Sequence, residues 1–328
     1  MIELRNDELV IRFTDVHEDA ISHINFQRTL RIPDDGNEYP LPAGMGRFPL
    51  DHIEDYQEKV PSSWLDRGGV LMPMYQSEAL WICFNGEYPM AIKIAAGKIN
   101  AVSGGVWGDK LVADPQDYIV SDEQPWLDGF CVKKGLIRQF VAMPLGEGYS
   151  AEEQLTGKAE SGGIQIIAYP MKAQVYEQVL AKRREEMMVG SRGACIDEFA
   201  MGLAPGGLMK QEVYEDFYGI DAWDTDHGSR CFVHLVNSEI YELITGRVPP
   251  QPPISKKQYS QYNIPWFDYY ADGVTGVEGS GVLDKLKSIA AVAKSKDETI
   301  WDNQSVNAGT VKVIDSKSVF SVVSEKDF

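Results

Sequence analysis

The sequence predicts an α+β protein, with an antiparallel β-rich N-terminal half and helices mainly in the C-terminal half. Three observations predict it. Period-2 apolar patterns and short turns crowd residues 1–170, helical stripes begin only after residue 171, and no alternating βαβ pattern links them. The 328 residues contain no Gly/Ser linker and no internal repeat. A single compact unit is therefore expected, β-rich over 1–170 and mixed over 171–328.

The elements follow in chain order. Residues 2–4 and 8–13 flank Asn6-Asp7, a pair that tolerates left-handed backbone, which predicts a hairpin. Phe26, Arg28, Leu30 and Ile32 lie two apart, which predicts a half-buried strand. From Pro33 to Pro49, with Pro40, Pro42, Gly44 and Gly46 between, the chain reads as an extended connector without regular structure. A second hairpin joins 90–94 to 99–102 and a third joins 129–133 to 136–143 through Lys134-Gly135. Residues 163–169 are nearly all apolar, as in a strand buried on both faces.

Helices come next. Tyr176, Val179, Leu180 and Met187 form one stripe over 173–189. Residues 238–245 form a shorter helix that Asn237 can cap and Gly246 can stop. A third helix is expected over 282–293, burying Leu283, Leu286, Ile289 and Ala290. The end returns to strand at 310–314 and 319–323.

Composition bounds the function. With 31 Lys+Arg against 49 Asp+Glu the net charge is −18, and both halves are acidic. That disfavours nucleic acid, whose backbone is bound through a surplus of cations. The longest apolar runs, 80–84 and 164–169, fall far short of the ~20 residues of a membrane helix, so no membrane association is expected. The start, Met1-Ile2-Glu3-Leu4-Arg5, does not read as a secretory signal. Cys83, Cys131, Cys195 and Cys231 include no Cys-x-x-Cys pair and make no disulfide framework, which points to a cytoplasmic location.

The common catalytic signatures are missing. Gly202 to Leu208 puts Leu where a P-loop lysine must reach a phosphate. There is no Gly-x-Gly-x-x-Gly, no Gly-x-Ser-x-Gly and no His-Glu-x-x-His. No cofactor is expected.

The densest polar-aromatic stretch runs from Tyr214 to His227. Its Asp221, Asp224, Asp226 and His227 suit a hard or borderline cation, with Asp224, Asp226 and His227 the candidate metal ligands. The plainer reading is a solvated loop whose aspartates cap turns. His227 is the best candidate for chemistry, with Asp224 and Asp226 as its catalytic neighbours. A carboxylate within ~4–6 Å favours imidazolium, and such a pair serves as general base or metal ligand. Gly228 and Ser229 follow it, which fits an idle exposed loop equally well. Cys231 and His234 are three apart on a predicted strand and point to opposite faces, so a buried Cys and a satisfied core His are expected.

Aromatics beside acids recur, and flat rings next to carboxylates suit sugars. The candidate platforms are Trp223, Trp266 and Tyr269, with Asp221, Asp224 and Asp268 as hydroxyl acceptors. Paired acids about 5 or 6.5–9.5 Å apart also hydrolyse glycosidic bonds. The plainer reading is that large aromatics are buried with one polar neighbour each. Arg247 to Pro253 matches a basic-x-x-Pro-x-x-Pro pattern, and reads equally as a stiff spacer.

Several stretches together resemble a family of uncharacterised microbial proteins with no assigned activity, over most of the chain. They are residues 39–42, 44–50, 74–81, 124–130, 138–146 and 265–270, including Gln124-Pro125-Trp126-Leu127-Asp128-Gly129-Phe130. The resemblance implies no activity, cofactor or fold. The expected function is a non-enzymatic, soluble cytoplasmic protein acting through self-association or binding. Its one positive sign is the apolar, Met- and Gly-rich segment 200–209, read as a loop that orders in a homo-oligomer contact. The alternative is a carbohydrate-binding protein or glycoside-acting hydrolase using the aromatic and Asp loops.

Overall fold

The computed structural model describes residues 1–186, 202–270, 275–300, 303–306 and 308–315. Cys195, Met187 and residues 319–323 lie outside the described residues. The architecture is α+β, with mostly antiparallel sheets, a β-rich N-terminal half and most helices after residue 170.

The largest sheet runs in the order Ile2–Arg5, Glu8–Arg12, Ile21–Thr29, Ala79–Asn85, Leu136–Met143, Gly202–Lys210 and Glu38–Tyr39. Trp126–Leu127 also pairs with Ala79–Asn85, and Gly44–Arg47 with Ile21–Thr29. A second sheet runs Ile99–Asn100, Met90–Ala96, Ile164–Pro170, Ser229–Asn237, Val70–Met74 and Asp51–His52. A small third sheet joins Val311–Asp315, Trp266–Tyr270 and Leu41–Pro42. Every sheet draws strands from both sides of residue 170.

The predicted turns build these sheets. Asn6 and Asp7 have φ of 50° and 60°, and Gly97 and Lys98 have φ of 57° and 62°. Two consecutive left-handed residues match the twist of paired strands, so each closes a tight hairpin. The inward faces of the two large sheets share one apolar core. Ile24, Phe26, Leu80, Ile82 and Phe140 come from one side, and Leu71, Ile92, Ile94, Ile166 and Val233 from the other. All of Ile164–Pro170 is buried, as its nearly continuous apolar run predicts. The helix Ser238–Thr245 forms as expected, with the Asn237 side chain accepting from the Glu239 N–H at 2.9 Å and Gly246 left-handed at φ 71°.

Four expectations need correction. Segment 202–210 is no loop: it is a strand between Leu136–Met143 and Glu38–Tyr39. Its glycines serve close packing, since a Cβ on Gly207 would stand 2.3 Å from the Pro33 carbonyl. The connector 33–49 contains three short strands, Glu38–Tyr39, Leu41–Pro42 and Gly44–Arg47, whose proline lies on an edge strand where a missing N–H is tolerated. The strand at Phe26 spans Ile21–Thr29 and stops before Leu30. There the Gln139 amide replaces a strand partner, donating to Leu30 O at 2.9 Å and accepting from Ile32 N at 2.8 Å. The helix expected over 282–293 breaks into Gly281–Asp284 and Ile289–Ser295. Ser288 caps the second piece, and Lys287 N donates to Gln154 instead of continuing the first.

Candidate functional site

The outer face of the largest sheet carries the candidate site. Successive strand residues alternate between faces. Because Ile24 and Phe26 enter the core, His23, Asn25 and Gln27 turn outward. Pairing sets them in rows: Asn25 opposite Cys83, Cys83 opposite Trp126, and Gln27 between Arg47 and Trp81. Glu8, next to Leu9 in the first hairpin, collects three partners. Asn25 Nδ2 donates at 2.8 Å and Arg47 Nη2 lies at 3.2 Å, both on Oε1, while His23 Nδ1 is 3.3 Å from Oε2. Gln27 Nε2 extends the chain by donating to Asn25 Oδ1 at 2.9 Å.

Aromatic rings border this polar ladder. Trp81 and Trp126 meet edge to face at 5.7 Å, and Tyr269 of the third sheet packs on Trp126 at 4.7 Å. All three are half-buried, leaving part of each ring open. Gly44 makes room for Trp81, because a Cβ there would stand 3.1 Å from the indole and 2.9 Å from Gln27 Oε1. The Trp81 indole N–H is enclosed and has no hydrogen-bond acceptor. Partly exposed aromatic rings and a carboxylate thus lie beside buried amides, Asn25 and Gln27 being 0% and 1% exposed, and an enclosed indole N–H.

The stretch singled out in sequence behaves differently. Asp216 is a hub of structure: Oδ2 accepts from Tyr118 OH at 2.6 Å and Trp223 Nε1 at 2.8 Å, and Oδ1 accepts from the N–H of Tyr218 at 2.9 Å and Gly219 at 3.2 Å. Burial and this carboxylate push the Tyr118 phenol upward. Buried amides fasten the rest. Gln116 bonds Tyr214 O and Asp216 N, Gln124 bonds Glu212 O and Tyr214 N, and Gln211 exchanges two bonds with Asp128. Burial raises the Asp128 carboxyl to about 7.

The candidate ligand residues of that stretch are thus redistributed. Trp223 and Trp266 are each 2% exposed and sit in separate apolar clusters, so neither is a platform. Their rings fill core where the sequence suggested open faces. Tyr269 does reach the surface. Asp268, its neighbour on the same strand, points to the opposite side of the third sheet. Asp221 and Asp226 are exposed, and Lys172 Nζ bonds the backbone carbonyl of Asp221 at 2.9 Å.

His227 Nδ1 does meet Asp224 Oδ2, at 2.9 Å, on an exposed loop. The other Asp224 oxygen accepts from Asp226 N at 3.2 Å, so Asp224 closes the turn that holds the histidine. Among the described residues, no group of three or more His, Cys, Asp or Glu side chains could hold a metal ion. His234 stacks between Trp64 and Phe232 and its Nε2 lies 2.9 Å from Gly68 O. Burial pushes its imidazole down to about 4. Arg247 pairs with Asp51, and Pro250 O accepts from Tyr75 OH at 2.8 Å, which fastens the proline-rich spacer. No helix among the described residues is long and apolar enough to cross a membrane.

No family model, curated protein or solved structure matches the chain. Sequence reading passed over the outer face because its members come from strands far apart. One signal was present: His23, Asn25, Gln27 and Thr29 alternate polar residues at period 2 with the apolar Ile24 and Phe26.

Proposed function

We propose that this is a non-enzymatic cytoplasmic binding protein, and that its ligand is a carbohydrate or related polyol. The observation that carries the proposal is the run of partly exposed rings Trp81–Trp126–Tyr269 beside the Glu8–Asn25–Gln27 ladder. A sugar presents C–H groups that pack on ring faces and hydroxyls that both donate and accept. Here the rings supply the faces and Glu8 supplies acceptor capacity. The three free cysteines among the described residues, Cys83, Cys131 and Cys231, support a reducing compartment.

The test is a glycan array read beside intrinsic tryptophan fluorescence. The expected result is a hit whose binding quenches or shifts the emission and is lost in Trp126→Ala. An empty array, or a hit that Trp126→Ala and Trp81→Phe leave intact, overturns the proposal.

A further inference from the structure

Trp126 and Tyr269 pack on each other, yet they stand on different sheets, and among the described residues no strand pairing joins them. Trp126 belongs to a strand of only two residues, Trp126–Leu127, paired with Cys83 and Ile82. Something other than the sheet must therefore fix the angle between the two rings. The buried side chain of Gln124 meets that need. Its Nε2 donates to Trp126 O at 2.9 Å and to Glu212 O at 3.2 Å, and its Oε1 accepts from Tyr214 N at 3.1 Å.

These contacts close a circuit. The Gln124 amide holds the backbone of Tyr214, and the Tyr214 ring meets Tyr269 edge to face at 6.4 Å. Tyr269 in turn meets Trp126 at 4.7 Å, and Trp126 O returns to Gln124. Both N–H groups and the carbonyl of one planar amide are engaged. Trp126 and residues 212–214 therefore cannot shift independently without leaving a buried polar group unpaired. The far side is anchored as well. Tyr214 O accepts from Gln116 at 3.0 Å, while Glu215 N donates to Thr275 O at 2.8 Å and Val277 N to Val213 O at 2.7 Å.

We infer that Gln124 is a positioning residue for the Trp126–Tyr269 face. At 2% exposed it does not touch a bound molecule. It presets the two rings, so that less ordering remains to be done when a sugar packs on them. The inference rests on the reading of that face as a polyol site. It also gives residues 212–214 a role, as the backing against which the open rings are set.

Nuclear Overhauser contacts between selectively labelled rings test this on the full chain without any added molecule. Contacts between Trp126 and Tyr269 are expected in the wild type. They are expected to weaken in Gln124→Met, which matches glutamine in length and forms none of its three bonds. Gln165→Met is the control. It removes a buried amide that joins Lys98 N and Gly162 O beside the second sheet, and is expected to leave the contacts unchanged. Immobilised glycans are the second probe. Where the wild type binds one, Gln124→Met, folded by circular dichroism, is expected to bind it about tenfold more weakly, and Gln165→Met as tightly as wild type. If Gln124→Met does not fold, Gln124→Glu at about pH 5 replaces it, since burial keeps that carboxyl protonated. The carboxyl accepts from Tyr214 N but donates one bond instead of two, so ring contacts and binding are expected to fall below wild type. Ring contacts equal to wild type in the folded variant, or full affinity despite weakened contacts, overturn the inference. An array without a hit overturns the polyol reading alone, and the ring contacts still decide whether Gln124 sets Trp126.

Discussion

The stretch 211–227 and the outer face around Trp81 have similar ingredients, aromatic rings beside carboxylates and amides, and put them to opposite uses. In the first, the buried polar groups are consumed within the protein: Asp216 alone takes four donors, and three glutamines clip the backbone. In the second, the rings Trp81, Trp126 and Tyr269 are each partly exposed. Density of functional-looking residues along a chain is thus a poor guide to a site. What distinguishes the regions is whether the indole rings are buried, as Trp223 is, or partly exposed, as Trp81 and Trp126 are.

The strongest way to break the comparison is Asp216→Ala. It leaves the Tyr118 hydroxyl and the Trp223 indole unpaired in the interior, and a loss of roughly 3–5 kcal/mol is expected in urea unfolding. A loss below roughly 1 kcal/mol would mean that the hub is not what holds this stretch.

Asp128→Asn sharpens the same side of the comparison through pH. The folded carboxyl is raised by burial to about 7, above its unfolded value, so the folded state holds its proton longer. Its contribution is complete below the unfolded pKa near 4 and is lost as pH rises toward 7. Asn cannot ionise. The variant is expected to be more stable than wild type at pH 8, by roughly 2–4 kcal/mol, with a flatter profile between about pH 4 and 7. Parallel wild-type and variant profiles would show that this carboxyl does not titrate on folding.

Trp126→Ala addresses the open face. It is expected to weaken polyol binding at least tenfold, about 1.4 kcal/mol, while the protein stays folded by circular dichroism. The smallest effect is expected from His227→Ala. Its ring is half-exposed and bonded only to Asp224 among the contacts on that loop. A stability change within about 0.5 kcal/mol and unchanged ligand affinity are expected. Loss of binding in this variant would move the site to the 224–227 loop.

Much of the fold was readable because its signals are local. Asn6-Asp7, Gly97-Lys98 and the Asn237 and Gly246 caps each fix a turn through a handful of residues. The misreadings share a cause in tertiary contact. Residues 202–210 look irregular alone, and become a strand because neighbours press on Gly206 and Gly207 from either side. Leu30 and Ile32 keep strand spacing, but a glutamine from residue 139 takes the place of a neighbouring strand. The candidate face needs residues 8, 25, 47, 81, 126 and 269 brought together, and no window of sequence contains them.

The third sheet has a consequence for synthesis on the ribosome. Leu41–Pro42 pairs with Trp266–Tyr270, which pairs in turn with Val311–Asp315. At about 5–20 residues per second, the interval between the emergence of Pro42 and Trp266 is roughly 10–45 s. Through that interval Leu41, joined by Ile137 and then Met209 as they are made, is without the Trp266 side chain that later covers it. This apolar flank therefore stays uncovered until residue 266 has been made.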